Sequence, residues 1–150
     1  MMKSKIFLGA DHAGFKLKEE VKKYLLKSGF EVEDEGAHNF DKDDDYPDFI
    51  APVARKVANN KNAMGIIFGA SGQGEAIAAN KVKGIRATVY YGSNLEIVKL
   101  SRTHNNSNIL SLGARFLTKE VAIEAVKRWL ETDFSNEARH IRRVKKIDKI

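Results

Sequence analysis

The chain has 150 residues, 43% hydrophobic and 31% charged, with a net charge of +6 and no cysteine. That length suits one domain able to bury roughly two-thirds of its unfolded surface, and without thiols there are no disulfides, thiolate metal sites or cysteine nucleophiles, so any catalytic base is Glu, Asp or His. No apolar run approaches the ~20 residues of a membrane span, and the opening residues lead straight into strand-like sequence without a signal-peptide pattern, so a cytoplasmic protein with no membrane partner is expected.

In chain order, residues 5–10 read as a strand, and apolar residues at helical spacing over 15–26 read as a helix ended by Gly29. Between them, Asp11-His12-Ala13-Gly14 places a carboxylate and an imidazole at a strand end, where Asp11 could equally be only a helix cap. A second strand is expected near residues 31–33. The acidic run Asp41, Asp43, Asp44 and Asp45 lacks EF-hand spacing and its glycine, so it reads as an exposed loop, with no metal expected. A helix from Pro47 to about residue 57 follows, because proline suits the first helical turn. Strands are then predicted at 64–68, 85–89 and 109–112, separated and followed by helices near 74–80, 94–102 and 119–131.

Strands alternating with helices at this spacing predict right-handed βαβ units. The expected fold is α/β: a Rossmann-like three-layer αβα sandwich with a five-stranded parallel sheet and a C-terminal helical tail, all within one domain spanning 1–150. The tail, helical over 135–150, carries Ile141, Val144 and Ile147 on a basic helix. That apolar stripe must dock on its own domain or cross to a neighbouring subunit. Arg139, Arg142, Arg143, Lys145, Lys146 and Lys149 supply much of the positive excess, but no aromatic residues interleave them for stacking on bases, so nucleic acid is not an expected partner.

The turn Gly69-Ala70-Ser71-Gly72-Gln73-Gly74-Glu75 lies where the third strand hands over to a helix. Backbone N–H groups there lack intrahelical partners and favour phosphate or a developing oxyanion, and Glu75 adds a carboxylate. Dinucleotide binding is disfavoured, because Gly9-Ala10-Asp11-His12-Ala13-Gly14 is not the G-x-G-x-x-G fingerprint and the Gly69 turn has no clear ribose-binding acid about 20 residues on. His104-Asn105 closes a helix, and either a helix-end preference or catalysis would explain that histidine. Arg139 and Arg143 stand four apart on one helix face, an arrangement that suits phosphate or a solvated basic surface.

Taken in order, Gly9-Ala10-Asp11-His12-Ala13-Gly14-Phe15-Lys16-Leu17-Lys18, Asp45-Tyr46-Pro47-Asp48, the 69–75 turn, Ile77-Ala78-Ala79-Asn80-Lys81, Gly84-Ile85-Arg86-Ala87, Arg102-Thr103-His104-Asn105 and Arg139-His140 resemble the ribose-5-phosphate isomerase type B family, which also contains the galactose-6-phosphate isomerase subunits. The resemblance spans nearly the whole chain. It implies a Rossmann-like fold, no cofactor of either metal or nucleotide kind, and a homodimer, with tetramers as a further step, whose active sites are shared between subunits. The implied reaction interconverts ribose 5-phosphate and ribulose 5-phosphate, in the non-oxidative pentose phosphate pathway, through ring opening, C2 deprotonation and a cis-enediolate. One branch carries a cysteine base at the start of the glycine loop, where this chain has Gly69; the other uses a glutamate after it, matched here by Glu75.

Carried over by that resemblance, Glu75 is the base, His104 the ring-opening acid with Asp11 near the sugar oxygens, and Ser71 the assistant to proton movement at O1 and O2. N–H groups of Ala70, Gly72, Gln73 and Gly74, in the loop opened by Gly69, would hold the enediolate. Arg139 and Arg143, with Arg115 and His12, would bind phosphate, and Asn105 sugar hydroxyls. Burial should raise the Glu75 pKa toward neutrality. A galactose-6-phosphate or allose-6-phosphate isomerase, or a non-catalytic sugar-phosphate-binding protein, stays open as an alternative.

Overall fold

The structure, a computed structural model, describes residues 3–150. Met1 and Met2, where the expected domain and its leader-free opening begin, lie outside the described residues. Strands β1 (Ile6–Ala10), β2 (Val32–Asp34), β3 (Met64–Gly69), β4 (Ala87–Tyr90) and β5 (Ile109–Gly113) form one sheet in the order β2-β1-β3-β5-β4, every pair parallel. β1 and β5 are buried at every position, as continuous apolar runs must be when helices cover both faces.

The helices are α1 (His12–Lys27), α2 (Pro47–Asn59), α3 (Gln73–Asn80), α4 (Glu96–Thr103), α5 (Lys119–Glu131) and α6 (Ala138–Asp148). Because side chains alternate along a strand, Ile6 and Leu8 meet Leu17 and Val21 of α1 and Val126 and Trp129 of α5 on one face, whereas Phe7 and Ile67 meet Ile50, Val53 and Val57 of α2 on the other. The predicted three-layer sandwich forms. No helix among the described residues is long and apolar enough to cross a membrane.

The chain leaves β1 toward β2 and returns to place β3 on β1's other side, so the strand order switches between them. Ala10 pairs with Phe68, and Gly69 with Gly113, which sets Asp11, the glycine turn and the residues after β5 side by side at the carboxyl edge, the usual ligand crevice of such sheets.

Several predicted boundaries shift. α1 starts at His12 and not at 15, because Asp11 caps it, and β4 starts at Ala87 and not at 85. A 3-10 turn, Ala114–Phe116, follows β5 unforeseen. The tail is helical only over Ala138–Asp148, short of the predicted 135–150. His140 and Val144 are buried against their own domain, and Arg86 at the head of β4 binds Asp148 at 3.0 Å, while Ile147 stays 45% exposed.

Candidate active site

At the carboxyl edge, Asp11 is buried, and its Oδ1 accepts from the N–H groups of Ala13 (3.0 Å) and Gly14 (3.3 Å). It caps α1 while standing at the switch point. Gly14 has no side chain because β3 leaves it no room: a Cβ would run into the Phe68 backbone and Cβ. This contact brings the start of α1, with Asp11, against the end of β3.

His12 is half-buried, and one oxygen of Asp44 takes both its backbone N–H (3.1 Å) and its ring Nδ1 (2.7 Å). Asp44 therefore corrects the expectation of an exposed acidic loop. Its side chain is only 8% exposed, drawn inward because the first N–H of α1 has no intrahelical partner and the imidazole adds a second donor. Asp41, Asp43 and Asp45 are exposed as expected. The hydrogen bond to Asp44, aided by the charge of Asp11 and opposed by burial and Arg115, lifts the His12 pKa above its ordinary value. Atoms of Asp11, His12 and Asp44 lie within 4.8 Å of one another, the one grouping of metal-ligand residue types among the described residues. The 2.7 Å Nδ1 to Oδ1 contact is a direct hydrogen bond, and Asp11 Oδ1 is engaged by the cap, so the trio reads as an ion-paired cluster.

The glycine turn is held from the β5 side. Ser111 Oγ donates to the Gly72 carbonyl at 2.7 Å, and the Arg115 N–H donates to the Ala70 carbonyl at 3.0 Å. Gly72 adopts a left-handed φ of 81° and opens α3, and Ser71 Oγ accepts from Gln73 N–H at 3.3 Å. Glu75, in the first turn of α3, is 4% exposed. Its carboxyl group fills the space beside Gly69, where a Cβ would fall directly on it. Burial pushes its pKa up, and the Asp11 carboxylate adds to this against its own backbone N–H, as the sequence predicts for a partly buried base. Tyr46 lies against Gly74, where a Cβ would come within 2.6 Å of its hydroxyl. Its signal in the sequence is membership of the Asp45-Tyr46-Pro47-Asp48 block.

Arg115 sits in the 3-10 turn after β5, exposed, and close enough to His12 for its charge to oppose protonation there. The structure thus brings together Asp11, His12, Ser71, Glu75 and Arg115 with the 69–74 turn. It does not bring the remaining predicted residues to them. His104 ends α4 and precedes β5, which places it at the amino edge of the sheet. Its ring stacks on His140 at 4.3 Å, and His140 Nδ1 lies 2.7 Å from Ser135 Oγ; burial, and then the neighbouring His104, hold the His140 pKa down. Asn105 borders a hollow beside Ile147 and Asp148 of α6 at this same edge. Arg139 and Arg143 are exposed one turn apart on α6, with Arg139 Nε on Glu137 at 3.0 Å. A five-residue strand spans about 17 Å, so the histidine and arginines at one edge and the carboxylates at the other stand a full sheet apart.

The sequence matches the family described as Ribose/Galactose Isomerase over residues 6–147. Ribose-5-phosphate isomerase B of Mycolicibacterium paratuberculosis is 39% identical over 140 residues, covering 93% of this chain and 87% of that protein. Among solved structures, a ribose 5-phosphate isomerase from Thermotoga maritima superposes with a TM-score of 0.91 at 41% identity, covering 99% of this chain and all of that one. Ribose-5-phosphate isomerase B from Mycoplasma genitalium, solved with bound ribulose-5-phosphate, gives 0.93 at 39% identity over 99% of this chain and 97% of that one.

Proposed function

The chain belongs to the ribose/galactose isomerase family, and from that premise we propose that it is an aldose–ketose isomerase interconverting D-ribose 5-phosphate and D-ribulose 5-phosphate. The observation that carries this reading is the Glu75 carboxyl group, buried at the glycine turn in the space Gly69 leaves open. Support comes from the Mycoplasma genitalium relative, whose structure holds ribulose-5-phosphate.

In this mechanism the ring opens first, with His104 protonating the ring oxygen and Asp11 accepting the proton of the O1 hydroxyl. Glu75 then takes the C2 proton as the C1 carbonyl becomes the enediolate oxygen. N–H groups of the Ala70 to Gly74 turn hold that oxygen, a contribution worth roughly 10²–10³ in rate per donor. Ser71 moves protons between O1 and O2, and Glu75 returns its proton to C1 to give the ketose. Its raised pKa serves both directions, because the proton must be bound and then released near neutral pH. His12 and Arg115 bind the phosphate from the carboxyl edge, Arg139 and Arg143 complete its shell, and Asn105 binds sugar hydroxyls. Chemistry of this kind is acid–base throughout.

His104, Asn105, Arg139 and Arg143 reach the substrate from a second copy of the chain, placed so that its amino edge faces the first copy's carboxyl edge. The working unit is a homodimer with shared sites, able to pair into tetramers, and it acts in the cytoplasm. The test is a ribose 5-phosphate assay in deuterated water, with galactose 6-phosphate alongside. The parent chain is expected to turn over the pentose and carry solvent deuterium to substrate carbon, and Glu75→Gln to lose activity by about 10²–10⁴-fold. Parental turnover in Glu75→Gln would refute the base, and no turnover of either sugar by the parent would refute the isomerase.

A further inference from the structure

We propose that Asp44 is a positioning residue for the phosphate end of the substrate: one of its oxygens takes both the backbone N–H and the Nδ1–H of His12, fixing the ring so that Nε2 is presented outward as a donor. The proposal rests on the reading that His12 meets the phosphate. A neutral imidazole whose Nδ1–H faces Asp44 has only a lone pair at Nε2 and would repel a phosphate oxygen. A carboxylate at Nδ1 favours the doubly protonated ring, whose Nε2–H can donate.

Three further observations fit this role. The other carboxylate oxygen of Asp44 is buried without a hydrogen-bond partner among the described residues, an unfavourable placement that a freely solvated loop residue would avoid. The Phe40 ring stands edge-on to His12 at 6.1 Å, limiting where the imidazole can turn. The charged groups facing His12 come from three elements: Asp11 at the head of α1, its Oδ2 3.9 Å from Nδ1; Asp44 from the acidic loop; and Arg115 from the turn after β5, the only one opposing protonation.

The experiment titrates inorganic phosphate calorimetrically into the parent, Asp44→Asn, His12→Gln and the double variant. Asp44→Asn should weaken phosphate binding by about fivefold to tenfold, His12→Gln at least as much, and the double variant no more than His12→Gln alone, because Asp44 acts through the ring. Additive losses, parental affinity in Asp44→Asn, or no phosphate binding by the parent would overturn the proposal. A readout on the parent alone removes any dependence on the variants' folding. Nitrogen-15 shifts of the His12 ring with phosphate bound should show both nitrogens protonated at pH 7, and an unprotonated Nδ1 or Nε2 would overturn the proposal. Phosphate binding is read without turnover. An inactive parent whose phosphate affinity still depends on Asp44 through His12 would therefore remove the isomerase and leave this inference standing, and an active parent indifferent to Asp44 would do the reverse.

Discussion

Gly69 and Glu75 occupy one volume between them. Where a side chain at 69 would stand, the Glu75 carboxyl group sits instead, so any residue larger than glycine must evict it. Gly69→Ala should fold yet lose activity by about 10²-fold or more, since misplacing a reacting group by an ångström is enough for that; parental kcat in this variant would contradict the arrangement. Glu75 also carries a stability consequence. Its folded pKa is raised above the unfolded value, mainly by burial, so the folded state holds the proton more tightly and stability falls as pH rises from the unfolded pKa through the folded one. Above that window the ionised carboxylate weakens the fold, so Glu75→Gln should raise the melting temperature at pH 9 more than at pH 5, while turnover collapses. An equal or smaller rise at pH 9 would show that the buried charge is not costly. Glu75 and its turn were legible in the sequence because glycine spacing at a strand end has a backbone reason. The inward turn of Asp44 was not, because four aspartates in a row of five look alike until the fold shows which one faces a donor.

Among the elements, α1 is tied to β2 by charge as well as by apolar packing. Lys18 is fully buried, and its ammonium lies 2.6 Å from Asp34 Oδ2, with Lys22 at 3.1 Å from the same oxygen. Burial works against the Asp34 carboxylate, yet Lys18, the Gly36 N–H and Lys22 together hold its pKa below the ordinary value of 3.8. The stability this gives is fully present above the unfolded pKa and is lost as pH falls through the lower folded one. Asp34→Ala, which leaves the buried Lys18 ammonium only the half-exposed Glu19 carboxylate at 3.0 Å, should cost about 3 kcal/mol in denaturant unfolding at neutral pH, and Lys18→Met in the same chain should recover part of it. A loss under 1 kcal/mol, or a double variant weaker than Asp34→Ala, would mean the pair does not hold α1. The strands and long helices were readable from periodicity. Less so were the early start of α1, set by the Asp11 cap, and the 3-10 turn over Ala114–Phe116, where Ala-Arg-Phe carries no turn signal and its path is set by the Arg115 N–H on the Ala70 carbonyl.

At the scale of the whole molecule, the parallel sheet separates the residues that the proposed mechanism unites. Residues that follow β1, β3 and β5 share one edge; His104 and Asn105, which precede β5, and the arginines of α6 share the other. Order along the chain placed each group correctly next to its strand, but which edge it reached followed from strand direction, and that becomes visible only once the sheet is assembled. In the proposed homodimer a second copy would close that separation, and Ile147 of α6 lies exposed beside the hollow at Asn105. The most direct measurement mixes two inactive variants, Glu75→Gln and His104→Ala, by co-expression and assays ribose 5-phosphate turnover. With sites shared between copies, each mixed dimer has one site with both residues intact, so random pairing should restore about a quarter of parental activity. If the mixture stays as inactive as its components, each copy uses its own Glu75 and His104, and the shared site is wrong.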